Sequence, residues 1–251
     1  IIGYIIDNRF TNAKLNILIE SLNSYQEENQ ELMYEIYTSG CSENDWKDEW
    51  KKYFKTTKIT DKITVKPSWQ EYEKEENDEI VIEIDPGMAF GTGTHETTSL
   101  CVELLEKYSV DKENLLDIGC GSGILMLIGK KMGINNVDGI DIDPNVKSVV
   151  IENMERNNIN ENYNVIIGNL VDDVNEKYDI IVSNILVDVL MQLLDTIETV
   201  LKDGAIIIFS GILKEKSEDF IKMAETHSFI EIERKEKNKW SAVAFKYEKD
   251  K

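Results

Sequence analysis

A Rossmann-like, doubly wound α/β sheet that ends in an antiparallel hairpin, with a small partial α/β domain ahead of it, is the fold this sequence predicts. Three observations carry that prediction. Strand-like and helix-like apolar patterns alternate from about Lys62 onward, which indicates parallel strands joined by right-handed crossovers. The apolar run Leu115–Ile118 turns through Gly119, Gly121 and Gly123 into the apolar helix Ile124–Met132, the opening of a nucleotide-binding sheet. The last two strands, Phe229–Arg234 and Trp240–Tyr247, are separated only by Lys235–Lys239, too short for a crossover helix and right for a hairpin.

In chain order, residues 1–44 read as a partial domain with a short strand, a helix and a second strand. Leu15, Leu18, Ile19 and Leu22 fall at helical spacing over Asn12–Leu22, and Glu31–Tyr37 alternates as a half-buried strand does. Residues 45–61 read as a linker helix, with Trp46, Trp50 and Tyr53 on one face, an amphipathic connector or a hinge. Residues 62–251 form the main domain. Its strands are expected at Ile63–Val65, Glu79–Ile84, Leu115–Ile118, Val137–Ile142, Asn164–Ile167, Asp179–Val182 and Ala205–Phe209. Its helices are expected at Glu96–Tyr108, Ile124–Met132, Val146–Asn157, Asp188–Leu201 and Lys214–His227. The absence of an initiator Met reads as a trimmed chain or a fragment.

Composition narrows the function classes. The 251 residues carry 28 Lys and Arg against 48 Asp and Glu, a formal net charge of -20. Duplex nucleic acid needs a basic footprint, so direct nucleic-acid binding is not expected, and a basic partner is favoured. Three scattered cysteines (Cys41, Cys101, Cys120) without a Cys-x-x-Cys pair fit a reducing, cytoplasmic location and no structural zinc. The longest apolar runs are strand-sized, so no membrane span or signal peptide is expected.

The chemistry concentrates in four places. The stretch Asp85-Pro-Gly-Met-Ala-Phe-Gly-Thr-Gly-Thr-His-Glu-Thr-Thr98 is a glycine- and threonine-rich loop of the kind a cofactor lid needs. Gly119, Gly121 and Gly123 let backbone approach a ligand at a helix N-terminus, and Asp117 beside them either orients that turn or touches the ligand. Asp141 ends the next strand, where a carboxylate reaches a ribose diol; Asp143 caps the helix begun by Pro144. Asn184 follows strand Asp179–Val182 and falls beside the reactive end of a ligand at the carboxyl edge of the sheet. Together they point to S-adenosylmethionine and methyl transfer. Ile185 and Leu186 offer no ring to stack a planar base, so an aliphatic amine is the better acceptor. His95 is either structural or positions or deprotonates the substrate, and no metal site is read.

The same stretches resemble the PrmA family, bacterial methyltransferases of the eleventh large-subunit ribosomal protein. The likeness rests on Asp85–Thr98, Asp45-Trp46, Trp50-Lys-Lys-Tyr-Phe54, Lys66-Pro-Ser-Trp69, the glycine turn, Gly139-Ile-Asp-Ile-Asp-Pro144, Ser183-Asn-Ile-Leu186 and Ser210-Gly-Ile-Leu213. The resemblance implies a class I methyltransferase sheet and cofactor contacts at Thr98, Gly119, Asp141 and Asn184. It sets Phe90, Gly91, Thr92 and Thr94 over the site. It also implies transfer to lysine ε-amines and an N-terminal α-amine of a basic ribosomal protein, recognised through the N-terminal domain. Gly168-Asn169-Leu170 lacks the acidic residue that many related enzymes set near the adenine. Three other readings compete: methylation of another protein or a small amine, a nicotinamide-dependent oxidoreductase, and a non-catalytic S-adenosylmethionine sensor. The missing Gly-x-Gly-x-x-Gly spacing counts against the oxidoreductase.

Overall fold

The computed structural model describes residues 11–28, 54–85, 93 and 95–249, and the chain divides into two compact units, Ile1–Trp46 and Lys47–Lys251. The first unit contributes helix α1 (Thr11–Glu28). Its Leu15, Ile19 and Leu22 are half-buried as the spacing predicts, whereas Leu18 is exposed. The strands expected before and after it, and the aromatic face of Trp46, Trp50 and Tyr53, lie outside the described residues. Among the described residues no helix is long and apolar enough to cross a membrane.

In the second unit, β1 (Thr57–Lys58), β2 (Ile63–Pro67) and β3 (Ile80–Ile84) make a small sheet of their own, β1 antiparallel and β3 parallel to β2. This corrects two expectations: residues 57–58 of the linker are strand, and the first two strands of the main domain do not join its large sheet. Ile63, Val65, Ile82 and Ile84 are buried in the same apolar cluster as the helices of the main layer, so the small sheet is fixed by its side chains.

Glu79 pins the loop that joins these strands. Its side chain is buried, at 3% exposed. Oε1 accepts from the Thr64 and Tyr72 hydroxyls, the latter at 2.8 Å, and Oε2 accepts the Glu75 N–H at 2.8 Å. These bonds, that from Thr64 foremost, hold the carboxyl at about 2, below its ordinary 4.5. A carboxyl lowered on folding stabilises fully above the ordinary value, and that share is lost as pH falls from 4.5 towards 2. Glu79→Gln, which turns an amide N–H against the Glu75 N–H, is expected to melt at lower temperature than the parent at pH 7. The gap should narrow through the acid range in thermal melts; a constant gap refutes the assignment.

The main sheet uses β4 (Asn114–Ile118), β5 (Asn136–Asp141), β6 (Tyr163–Ile167), β7 (Tyr178–Asn184), β8 (Leu201–Leu213), β9 (Phe229–Lys237) and β10 (Trp240–Tyr247) in the order β6-β5-β4-β7-β8-β10-β9. The first five are parallel, and β10 is antiparallel to both β8 and β9. Helices α2 (Glu96–Tyr108), α3 (Ile124–Lys131), α4 (Val146–Arg156), α5 (Val187–Leu194) and α6 (Lys214–Glu225) cover the two faces. The run Ala205–Phe209 is apolar throughout because Ile206 and Ile208 join one core cluster while Ile207 and Phe209 join the other. On the latter face Phe209, Phe220 and Phe245 meet edge-on at 5.4 to 6.3 Å, each pair adding about 0.5–1.5 kcal/mol beyond its buried area.

The largest differences in element boundaries lie in three elements. The helix predicted over Asp188–Leu201 ends at Leu194 and passes through a 3-10 turn, Ile197–Val200. Strand β8 extends through Ser210–Leu213, where it pairs with β10 across a bulge. The hairpin tightens, with β9 running to Lys237 so that Asn238 and Lys239 alone turn the chain; Asn238 takes φ 50, which asparagine tolerates.

Candidate functional site

The sheet reverses its winding between β4 and β7, and the crevice at their carboxyl ends is where such folds bind ligands. A cavity of about 630 Å³ opens there, within the range of small-molecule sites. Gly119, Gly121, Asp141, Asn184 and His95 line it, together with Gly168, Asn169 and Leu170. A larger hollow of about 730 Å³ at the opposite edge is lined mostly by polar side chains, several of which are tied up by hydrogen bonds of their own. There the Tyr178 hydroxyl donates to Asp138 at 2.7 Å, and Asp179 accepts from Lys202 at 2.9 Å and from the Asn114 amide.

The glycine turn is shaped by its neighbours. Gly119 has φ +76, and a Cβ there would stand 2.4 Å from Ile185 Cγ2, so only glycine lets the turn pass close under the β7 loop. Asp141 holds the turn from the next strand. Its Oδ2 accepts the Gly121 N–H at 2.9 Å and its Oδ1 the Asp143 N–H at 3.0 Å. Each oxygen keeps a lone pair for a ligand hydroxyl. Asp143 accepts the Asn145 N–H at 2.9 Å, but α4 starts at Val146 with Asn145 as its N-cap, so the expected cap shapes the turn before the helix instead of capping it.

Three residues expected at the cofactor do not line the cavity. Gly123 is the N-cap of α3 and packs towards Val150. Asp117 is buried on the opposite side of its strand, 1% exposed, and no well-formed hydrogen bond reaches either oxygen. Burial, with the charge of Asp141 nearby, pushes its carboxyl up to about 8, the Met126 amide offsetting only part. Thr98 is 1% exposed, and its Oγ1 accepts from Asn184 Nδ2 at 3.2 Å. That bond orients the Asn184 amide, with Oδ1 left as the acceptor face. Phe90, Gly91, Thr92 and Thr94 lie outside the described residues.

Two hydroxyls set the register of these parts. Ser183 Oγ donates to the Ile118 carbonyl at 2.9 Å, locking β7 to β4 beside Gly119, and Ser210 Oγ donates to the Thr97 carbonyl at 3.0 Å, locking β8 to α2. His95 caps α2, with Nδ1 accepting the Thr97 N–H at 3.3 Å, and meets Trp240 edge-on at 5.5 Å. It is therefore a structural cap that also faces the cavity. Burial pushes the Cys120 and Cys101 thiols up, which leaves neither as a nucleophile.

Sequence reasoning placed Leu186 near the acceptor but missed most of the wall it belongs to, Trp240, Gln192 and Val189 above all. Trp240, Gln192, Val189, Leu186 and Gly211 close the side of the cavity beyond Asn184. The Trp240 indole N–H is buried without a partner among the described residues. Ile142 and Leu186, 73% and 71% exposed, form apolar lips on opposite sides of the opening.

The family model "Ribosomal protein L11 methyltransferase (PrmA)" matches residues 4–248. The chain belongs to the PrmA family. A ribosomal protein L11 methyltransferase of Fusobacterium nucleatum subsp. nucleatum is 41% identical over 241 residues, which cover 95% of this chain and 77% of that relative. One from Clostridium perfringens is 43% identical over 204 residues, 81% of this chain and 64% of its own length. This PrmA-family chain thus spans about two thirds to three quarters of those relatives. The crystal structure of a ribosomal protein L11 methylase from Lactobacillus delbrueckii subsp. bulgaricus is similar to 78% of this chain and all of its own, with TM-score 0.74 and 28% identity. A precorrin-6y C5,15-methyltransferase from Geobacter metallireducens shares the fold alone, with TM-score 0.52 and 12% identity over 64% of this chain and 93% of its own. The sheet of this PrmA-family member is thus the class I methyltransferase sheet read from the sequence.

Proposed function

We propose that this chain is an S-adenosylmethionine-dependent N-methyltransferase acting on lysine ε-amines and the N-terminal α-amine of ribosomal protein L11. The observation that carries the reading is the joint placement of Asp141, the close-packed Gly119 turn and Asn184 around one cavity at the switch point. S-adenosylmethionine, when bound, supplies an electrophilic methyl group on a sulfonium. Asp141 would hold the ribose hydroxyls, the Gly119–Gly121 backbone would lie along the ligand, and Gly168–Leu170 would border the base. Asn184 would face the reacting end, its amide oriented by Thr98.

The acceptor nitrogen must arrive unprotonated. A free lysine titrates near ~10.4, so removing its proton at pH 7 costs roughly 4.6 kcal/mol. The apolar wall of Ile118, Ile185, Leu186 and Val189 strips water from the ammonium and lowers that cost. Asn184 Oδ1 can accept one amine hydrogen and aim the lone pair, while Trp240 and His95 border the alkyl stem. Orientation of this kind removes much of the remaining barrier without a strong base. The net charge of -20 favours encounter with a basic partner such as a lysine-rich protein. The test is a mass spectrum of purified L11 after incubation with the enzyme and S-adenosylmethionine. Whole methyl increments on lysines and the N-terminus are expected. L11 left unmodified, while the enzyme methylates other proteins or small amines, would move the reading to another substrate.

A further inference from the structure

Asn153 of α4 and Asn157, which caps that helix, stand one turn apart and are buried, at 1% and 4% exposed. Amides so far from water are tolerated only when their donors and acceptors are paired. Here most partners belong to other elements, the exception being the Asn153 carbonyl, which accepts from Asn157 Nδ2 at 2.8 Å. Asn157 Oδ1 accepts the Glu83 N–H at 3.0 Å, and its Nδ2 donates to the Glu83 carbonyl at 2.6 Å. One side-chain amide thus pairs with both backbone groups of a residue on β3, as a neighbouring strand would. Strand β3 is the outer strand of its sheet, so this pairing covers an open edge.

Asn153 uses the same chemistry differently. Its Oδ1 accepts the Asp85 N–H at 2.9 Å, while its Nδ2 donates to the Ser122 carbonyl at 3.0 Å. Asp85 opens the signature stretch, and Ser122 lies inside the glycine turn. A single buried side chain therefore ties the end of β3 to the turn that borders the cavity. The turn has two such tethers. Asp141 holds the Gly121 N–H and Asn153 holds the Ser122 carbonyl, so two of its peptide groups are fixed by side chains from different elements.

We propose that Asn153 is a positioning residue for cofactor binding, holding the Gly119–Gly123 backbone in its binding shape and coupling that shape to the position of Asp85. The inference rests on the reading of the cavity as an S-adenosylmethionine site. A turn held in advance spends no affinity on being ordered when its ligand arrives, and loss of a tether shows up as weaker binding. Asn157 is the internal control, with like burial and like chemistry but no hydrogen bond to the turn.

The experiment measures S-adenosylmethionine affinity by calorimetry, and melting temperature, for the parent, Asn153→Ala, Asn153→Leu and Asn157→Ala. Both Asn153 variants are expected to bind the cofactor about tenfold more weakly, the effect of losing one well-placed hydrogen bond. The KM for the cofactor should rise by the same factor, with kcat at saturating cofactor little changed. Asn157→Ala should lower the melting temperature at least as far and yet keep the parental affinity. If Asn153→Ala does not fold, the leucine variant decides, since it refills most of the volume. Parental affinity in the Asn153 variants, or an equal loss in Asn157→Ala, overturns the proposal. A parent that binds no S-adenosylmethionine overturns the cofactor reading itself, and that is established before any variant is compared.

Discussion

Replacing Asp141 with alanine is expected to weaken S-adenosylmethionine binding by at least about 100-fold, through two losses that add. The first is the pair of backbone amides, Gly121 N–H and Asp143 N–H, that the carboxylate now accepts. Hydrogen bonds to a charged acceptor contribute about 1.5–3 kcal/mol each, and every 1.4 kcal/mol is tenfold in affinity. The second is the acceptor pair offered to the ribose. Asp141→Asn separates these contributions, since it keeps one carbonyl oxygen but sets an amide N–H against a backbone N–H. It should fall between the parent and the alanine variant. Calorimetric titration reads both, and a cofactor affinity unchanged in Asp141→Ala would refute the ribose assignment.

The position of Asp141 was legible because it depends on local spacing: a carboxylate at a strand end, one unit after a glycine turn. The same holds for the parallel strands, whose burial on both faces leaves unbroken apolar runs such as Ala205–Phe209. Burial of single polar residues was not legible. Alternation along β4 places Asp117 on one face but does not say that this face is sealed, and Thr98 reached the site only through Asn184. The separate small sheet was hidden because strand pairing is a property of the partner. Ile63–Val65 has the same pattern whichever sheet it enters. Asn153 and Asn157 look like ordinary polar positions of a surface helix. Their partners Asp85 and Glu83 lie 68 and 74 residues away, beyond any local pattern. Trp240 was missed for the same reason: its role follows from meeting His95 in space, across most of the main domain in sequence.

Gly211→Ala is expected to cost on the order of 2–5 kcal/mol of stability and, in whatever folds, to lower kcat by about 100-fold. Gly211 has φ +85, and a Cβ there would stand 2.1 Å from the Ile185 carbonyl oxygen and 2.9 Å from its carbon. These are backbone atoms, so no rotamer change relieves the clash. The residue sits where β8 bulges against β10, with Ser241 opposite Ile212 but Val243 opposite Phe209. Relief must come either from closing that bulge or from pushing Ile185 outward. Ile185 follows Asn184 directly, and displacement by even ~1 Å of a group that aims the acceptor is enough for a loss of that order. Gly204 supplies the control within the same strand. It has φ +74, and a Cβ there would meet nothing within 4 Å, so Gly204→Ala bears the left-handed backbone penalty of roughly 1–2 kcal/mol without any clash. Melting temperatures and steady-state rates of the two variants separate the effects. Gly204→Ala should melt a few degrees lower with parental kcat, and Gly211→Ala should lose both stability and turnover. Equal behaviour of the two would mean that the close approach of β8 to the Ile185 backbone does not position Asn184.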